Sequence, residues 1–190
     1  MKLTRLLDQR PTTRRDVLFV AAGTTITCLG AGALSHTVNK IDLRASLGWF
    51  DTVTVDLTGI SPGSTLRVKW GQRPVLVRRR FTHEILSEQA VNPEELLDKY
   101  ARNPELEKNA LATDSNRVKK GHEQWLVVTG LCTHMGCSLT ADYKEQVGGW
   151  SCPCHGARYD VSGRVRSGPA PQNLEIPPYR FVSDTLIELG

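Results

Sequence analysis

Two short stretches near the C-terminal end constrain this chain more than anything else in it: Cys132-Thr133-His134-Met135-Gly136-Cys137 and Cys152-Pro153-Cys154-His155-Gly156. Each offers a thiol and an imidazole, Cys132 with His134 and Cys152 with His155, and each holds one further cysteine, Cys137 and Cys154. Four side chains of this Cys2His2 kind can hold a tetrahedral zinc ion. Zinc leaves the other two cysteines without a part. The same four ligands also suit a two-iron, two-sulfide cluster in which two histidines replace two cysteines on one iron, a substitution that raises the reduction potential. Gly136 and Gly156 follow ligands where the backbone has to turn tightly, so both are expected at positive φ.

C-T-H-x-G-C, then C-P-C-H-G, then Gly168-Pro169-Ala170-Pro171 resembles the Rieske iron-sulfur subunit of bacterial cytochrome bc1 complexes. Thr113-Asp114-Ser115-Asn116-Arg117 is similar to a T-D-x-N-R signature of the same subunits, which widens the resemblance to nearly the whole chain. It implies one 2Fe-2S cluster, with Cys132 and Cys152 as thiolates on the inner iron and His134 and His155 on the outer. It also implies a disulfide between Cys137 and Cys154 that ties the two ligand loops together, which needs an oxidising compartment.

The activity implied is that of a quinol:cytochrome c oxidoreductase. The two imidazoles would accept a hydrogen bond and a proton from quinol at cytochrome b, and the electron would pass on to cytochrome c1, within a dimeric complex. The resemblance favours His155 over His134 as the quinol contact; spacing does not rank them. In the family a serine two residues after the second ligand histidine and a tyrosine two further on donate to cluster sulfurs. This chain has Ala157 at the first position and Tyr159 at the second. Met135 stands where leucine is common, a softer apolar shield, and Pro169 and Pro171 are expected to stiffen a loop covering the cluster. The small subunit of arsenite oxidase and a Rieske ferredoxin are the competing classes. The Gly-Pro-Ala-Pro loop, the 113–117 signature and the length of the insertion favour the bc1 subunit; the anchor and the cysteine pair argue against the ferredoxin.

The N-terminal end bears on sidedness. Residues 17–34 carry no charge, a length that just spans a bilayer core, and Lys2, Arg5, Arg10, Arg14 and Arg15 precede them against only Asp8 and Asp16. The positive-inside rule then keeps the N-terminus in the cytoplasm and the rest on the periplasmic side of the inner membrane, as a single-pass protein. Thr13-Arg14-Arg15-Asp16-Val17-Leu18 resembles a twin-arginine export signal. A cleaved signal peptide competes, because Ala31-Gly32-Ala33 has the small-x-small form of a cleavage site; family resemblance favours retention as an anchor. The division expected is a tail at 1–16, an anchor at 17–38, a hinge or tether at 39–50, and a cluster-binding head at 51–190 with a subdomain at about 130–172. With 24 basic and 20 acidic residues the formal charge is +4, too small and dispersed to argue for nucleic acid. Cys28 is read as a small apolar filler.

Within the head, residues 52–57 and 65–70 alternate as strands about a Pro62-Gly63 turn, and 74–80 reads as a third. Arg78, Arg79 and Arg80 are expected at a solvated strand end, since neighbours on a strand point to opposite faces. Residues 82–111 turn to short helical pieces, the best at 93–100, with Pro at the first turn and acids after it. His83 and His122 are expected on the surface. A strand at 124–130 leads into the first ligand loop, short strands follow the second, and residues 179–189 close as a hairpin about Ser183-Asp184. The fold class expected is mainly β: an antiparallel β-sandwich with a small cluster-binding subdomain and a helical insertion, plus one N-terminal transmembrane helix.

Overall fold

Alternating and β-branched runs become antiparallel strands in the computed structural model, which describes residues 52–142 and 148–190. The tail, the membrane anchor and the tether expected over residues 1–50 lie outside the described residues. Among the described residues no helix is long and apolar enough to cross a membrane.

Among the described residues the strands form three antiparallel sheets. Strand β1 (Val53–Asp56) pairs with β10 (Leu186–Leu189), which pairs with β9 (Tyr179–Ser183); the last two form the expected C-terminal hairpin. Strand β2 (Thr65–Trp70) pairs with β3 (Arg73–Arg79), and β3 with β4 (Trp125–Thr129). As the central strand, β3 buries Val75, Leu76 and Val77 in succession, and β4 is buried along its whole length, the pattern of strands covered on both faces. The third sheet is made of very short strands in the order β5 (Thr140–Ala141), β6 (Trp150–Ser151), β7 (Arg158–Tyr159) and β8 (Val165–Ser167). One apolar cluster joins all three sheets, and Cys132, Cys152, Ala157 and Tyr159 belong to it.

Helix α1 (Thr82–Gln89) follows β3. The helix expected at 93–100 is only a 3-10 turn, Pro93–Glu95. The backbone turns extended at Leu96, and beyond it the Asp98 carboxylate accepts the Tyr100 N–H at 3.2 Å, a local side-chain bond that competes with helical pairing. The 113–117 signature forms a second 3-10 turn, Asp114–Arg117, capped by Thr113.

The arginine run departs from expectation. Alternation does separate Arg79 from Arg78 and Arg80, but the face shared by the latter two is covered by α1 and the insertion, and both are buried. Arg78 pairs with Glu84 at 2.5 Å, and Arg80 pairs with Asp114 at 2.5 Å while its Nε donates to the Glu123 carbonyl at 3.0 Å. Charges hidden from water have to be paired, and the acids of α1 and of the 113–117 turn supply the partners. His83 is exposed as expected, whereas His122 is half-buried, its ring stacked on Phe181 with centroids 3.6 Å apart.

A third buried group joins α1 to the end of the third sheet. Arg164 donates from Nε to Asp160 at 2.8 Å and also pairs with Glu88, and all three side chains are inaccessible to water. Burial, reinforced by the nearby Asp160 carboxylate and opposed by Arg164, pushes Glu88 up to about 8 from 4.5. A carboxyl raised on folding contributes stability that is complete below its unfolded value and lost as pH rises through the folded one. The melting temperature of the head is therefore expected to fall between pH 5 and 8, and Glu88→Gln to flatten that slope; a Glu88→Gln chain with the parent slope rejects this assignment.

Candidate metal centre

Strand β4 is followed by Gly130, whose N–H donates to the Pro74 carbonyl at 2.7 Å, and the chain enters the first ligand loop. The Cys132 N–H donates to the Cys137 carbonyl at 2.8 Å, and the Gly136 N–H returns to the Cys132 carbonyl at 2.8 Å. The second loop repeats this ring: Cys152 N–H to the Ala157 carbonyl at 2.8 Å and Gly156 N–H to the Cys152 carbonyl at 3.0 Å. Gly136 and Gly156 hold φ values of 75° and 73°. A Cβ on either would meet nothing within 4 Å, so the left-handed backbone, and not space, selects glycine there.

A disulfide between Cys137 and Cys154 joins the loops. It leaves Cys132 and Cys152 as free, buried thiols. The sulfurs of Cys137, Cys152 and Cys154 lie within 4.8 Å of one another, but two of them are spent on the bridge, so this trio is not a ligand set. The rings of His134 and His155 stand 4.8 Å apart and nearly perpendicular, at 88°. His134 is half-buried and its Nδ1 is sealed from solvent with no hydrogen-bond partner. An imidazole nitrogen left that way costs roughly 1–3 kcal/mol, unless it has a ligand to bind. Two soft thiols and two imidazoles, one with an orphaned buried nitrogen, are a donor set that fits a 2Fe-2S cluster. His155 and Met135 are exposed at the loop tips.

Tyr159 stands behind the first loop. Its hydroxyl lies 3.4 Å from the Cys132 sulfur and accepts the Thr133 N–H at 3.1 Å, and the Thr133 hydroxyl donates to the Gln172 carbonyl at 2.7 Å. Burial, with Cys132 adding to it, pushes the Tyr159 phenol up to about 12, so it remains a donor at any physiological pH. Burial also opposes ionisation of Cys132, but the Tyr159 hydroxyl and the N–H groups of His134 and Met135 outweigh it and hold the thiol below its usual value. The Gly-Pro-Ala-Pro segment closes the other side. A Cβ on Gly168 would come within 2.5 Å of the Ala157 Cα, so its backbone rests directly on the second loop, with Ala157 fully buried and Pro169 exposed.

The Cys137–Cys154 bridge thus joins the loop of Cys132 and His134 to that of Cys152 and His155, with the two imidazole rings 4.8 Å apart, the Tyr159 hydroxyl beside Cys132, Ala157 buried, and Met135 and Pro169 exposed. Thr133, Gln172 and Asn173 are not singled out by sequence reading. Their work is done through backbone groups and across distant segments, and only the Thr133 position inside a ligand motif hints at it. Opening the bridge with Cys154→Ser is expected to cost about 3 kcal/mol, the chain-entropy value for a loop of this size; a denaturant midpoint equal to that of the parent rejects this.

Residues 89–179 match the Rieske [2Fe-2S] domain family, which defines the class. Over 179 residues the chain is 43% identical to the ubiquinol-cytochrome c reductase iron-sulfur subunit of Bradyrhizobium diazoefficiens, covering 94% of both chains. It is 40% identical to the subunits of the same name from Rickettsia prowazekii, over 95% of both chains, and Cereibacter sphaeroides, over 94% of this chain and 95% of that one. The chain belongs to the family of ubiquinol-cytochrome c reductase iron-sulfur subunits.

Proposed function

We propose that Cys132 and Cys152 hold one iron of a 2Fe-2S cluster and His134 and His155 the other, and that the chain takes one electron, coupled to a proton, from quinol and passes it to a c-type cytochrome. The observation carrying the reading is the orphaned Nδ1 of His134, its ring 4.8 Å from that of His155, on bridged loops that also carry two buried free thiols. When bound, the cluster supplies a one-electron centre whose histidine ligation raises its potential.

The chain's own residues do the rest. His155, exposed at the tip, accepts a hydrogen bond from a quinol hydroxyl and takes its proton. Met135, Pro153 and Pro169 are exposed with it and give the docking face an apolar rim. The Tyr159 hydroxyl, 3.4 Å from Cys132, donates to the sulfur and stabilises added negative charge. The partners follow as cytochrome b on the quinol side and cytochrome c1 on the acceptor side, in a dimeric bc1 complex. An antiparallel sandwich on the periplasmic side, carried by a retained transmembrane helix at 17–38 with a twin-arginine tail at 1–16 and a tether at 39–50, completes the reading.

Low-temperature EPR of reduced membranes tests it. A signal of mixed nitrogen and sulfur ligation is expected, altered by a quinol-site inhibitor and copurifying with b- and c-type haem; a signal that ignores the inhibitor and separates from both haems overturns it. Ala157 supplies no hydroxyl where a serine would donate to the cluster. Ala157→Ser is accordingly expected to raise the midpoint potential by about 40–60 mV, the equivalent of one net hydrogen bond on a one-electron couple, and an unchanged potentiometric titration rejects the prediction.

A further inference from the structure

Asn173 belongs to no ligand motif, yet it is 1% exposed and its side chain is fully used. Its Oδ1 accepts the Val165 N–H at 2.8 Å, and its Nδ2 donates to the carbonyls of Asp98 at 2.7 Å and Tyr100 at 2.9 Å. Its own N–H donates to the Asp98 carboxylate at 2.8 Å. That carboxylate is gripped in turn by Arg102, from Nε at 2.8 Å and from the terminal nitrogen at 3.1 Å. Arg102 is the one non-glycine residue at positive φ among the described residues, at 52°, a backbone state that costs energy and persists where its surroundings enforce it.

Two routes run from this knot to one hydroxyl. Val165, held by Asn173, is the cross-strand partner of Tyr159. Gln172, the residue before Asn173, presents the carbonyl that receives the Thr133 hydroxyl, and the Thr133 N–H donates to the Tyr159 oxygen. Tyr159 is thus braced from its own sheet and from the first ligand loop, and both braces end at Asn173.

We propose that Asn173 is a positioning residue for electron transfer: it fixes the Tyr159 hydroxyl against the Cys132 sulfur and so helps set the reduction potential. The proposal rests on the reading that Cys132 is a cluster ligand. A hydrogen bond to that sulfur stabilises the reduced, more negative state, so loosening it lowers the potential. A neutral replacement is the right probe, because a new carboxylate would lower the potential by its charge alone.

The experiment is an EPR-monitored redox titration of the full chain in its complex, for Asn173→Ala, for Tyr159→Phe, and for the two together. Asn173→Ala is expected to shift the one-electron equilibrium roughly fivefold toward oxidation, about 40 mV lower at 59 mV per tenfold. In the Tyr159→Phe background it should add nothing, since coupled residues are not additive. A parent potential with less loaded protein means that Asn173 only supports the fold, and overturns the proposal. An equal drop in the Tyr159→Phe background also overturns it, because the effect then travels by another path. If Asn173→Ala carries no cluster, Arg102→Lys loosens the same knot while keeping its charge; a shift of roughly twofold in the same direction supports the proposal and an unmoved potential ends it. A parent chain with no cluster signal would instead remove the metal reading itself, and this proposal with it.

Discussion

A Cys152→Ser chain should accumulate without iron. Cys152 is 2% exposed and unbridged, and its N–H closes the second loop on the Ala157 carbonyl at 2.8 Å. That closure is a backbone bond, so serine can keep the turn while losing the soft thiolate that an iron-sulfur centre requires. A serine hydroxyl is far less acidic and a poorer match for the metal. The disulfide uses Cys137 and Cys154 and should survive the change. The expected result is a near-complete loss of iron, acid-labile sulfide and the EPR signal, in a chain whose bridge still forms. Cys132→Ser is expected to do the same. Stoichiometric iron in a Cys152→Ser chain would contradict the proposed ligand set.

Arg117→Met is expected to be the most damaging change outside the metal centre. The Arg117 side chain is wholly buried, and it donates to four carbonyls: Ser162, at 2.5 Å, Leu174 at 2.8 Å, Gly163 at 3.3 Å, and Ala101. Three segments far apart in sequence are tied by this one guanidinium. Burial pulls it down to about 10, only partly offset by Asp160, so it stays charged near neutral pH. Methionine fills a similar volume but strips this donor from the Ser162, Leu174 and Ala101 carbonyls, at roughly 1–3 kcal/mol for each one that water cannot reach, while the Gly163 carbonyl keeps the Leu174 N–H at 2.9 Å. The total is expected near 3–5 kcal/mol, a large share of the 5–15 kcal/mol that holds an ordinary domain together. Chemical denaturation of the isolated variant and parent measures it; a loss under about 1 kcal/mol would show that water enters and replaces the guanidinium. Lysine, with one nitrogen to serve four acceptors, should recover only part of the loss.

These two positions also mark what was legible in the sequence. Cys152 could be read directly, because metal ligands need particular atoms at particular spacings and the two loops print them in order. The hairpin at the C-terminus and the strands at 65–70 and 125–129 were legible for a similar reason, since alternation and buried runs are local. The burial of Arg78, Arg80 and Arg117 was not. A charged residue reads as solvent-facing until its partners are known, and Glu84, Asp114 and the carbonyls around Arg117 arrive from elsewhere in the chain. In the segment 93–100, read as a helix, the backbone turns extended at Leu96 and the Asp98 carboxylate takes the Tyr100 N–H, local choices that composition hides. Asn173 illustrates the limit, because three of its four bonds go to main-chain groups, which carry no sequence signature.

The paired loops carry one last implication. They close through the same ring of main-chain bonds, yet the imidazole sits two residues after the cysteine in the first and three after it in the second. With that single-residue offset on otherwise matching frames, one imidazole is half-buried and the other exposed. The two imidazoles are therefore unequal in their access to water, an asymmetry that two loops of matching main-chain bonds would not have if their histidines stood at the same offset.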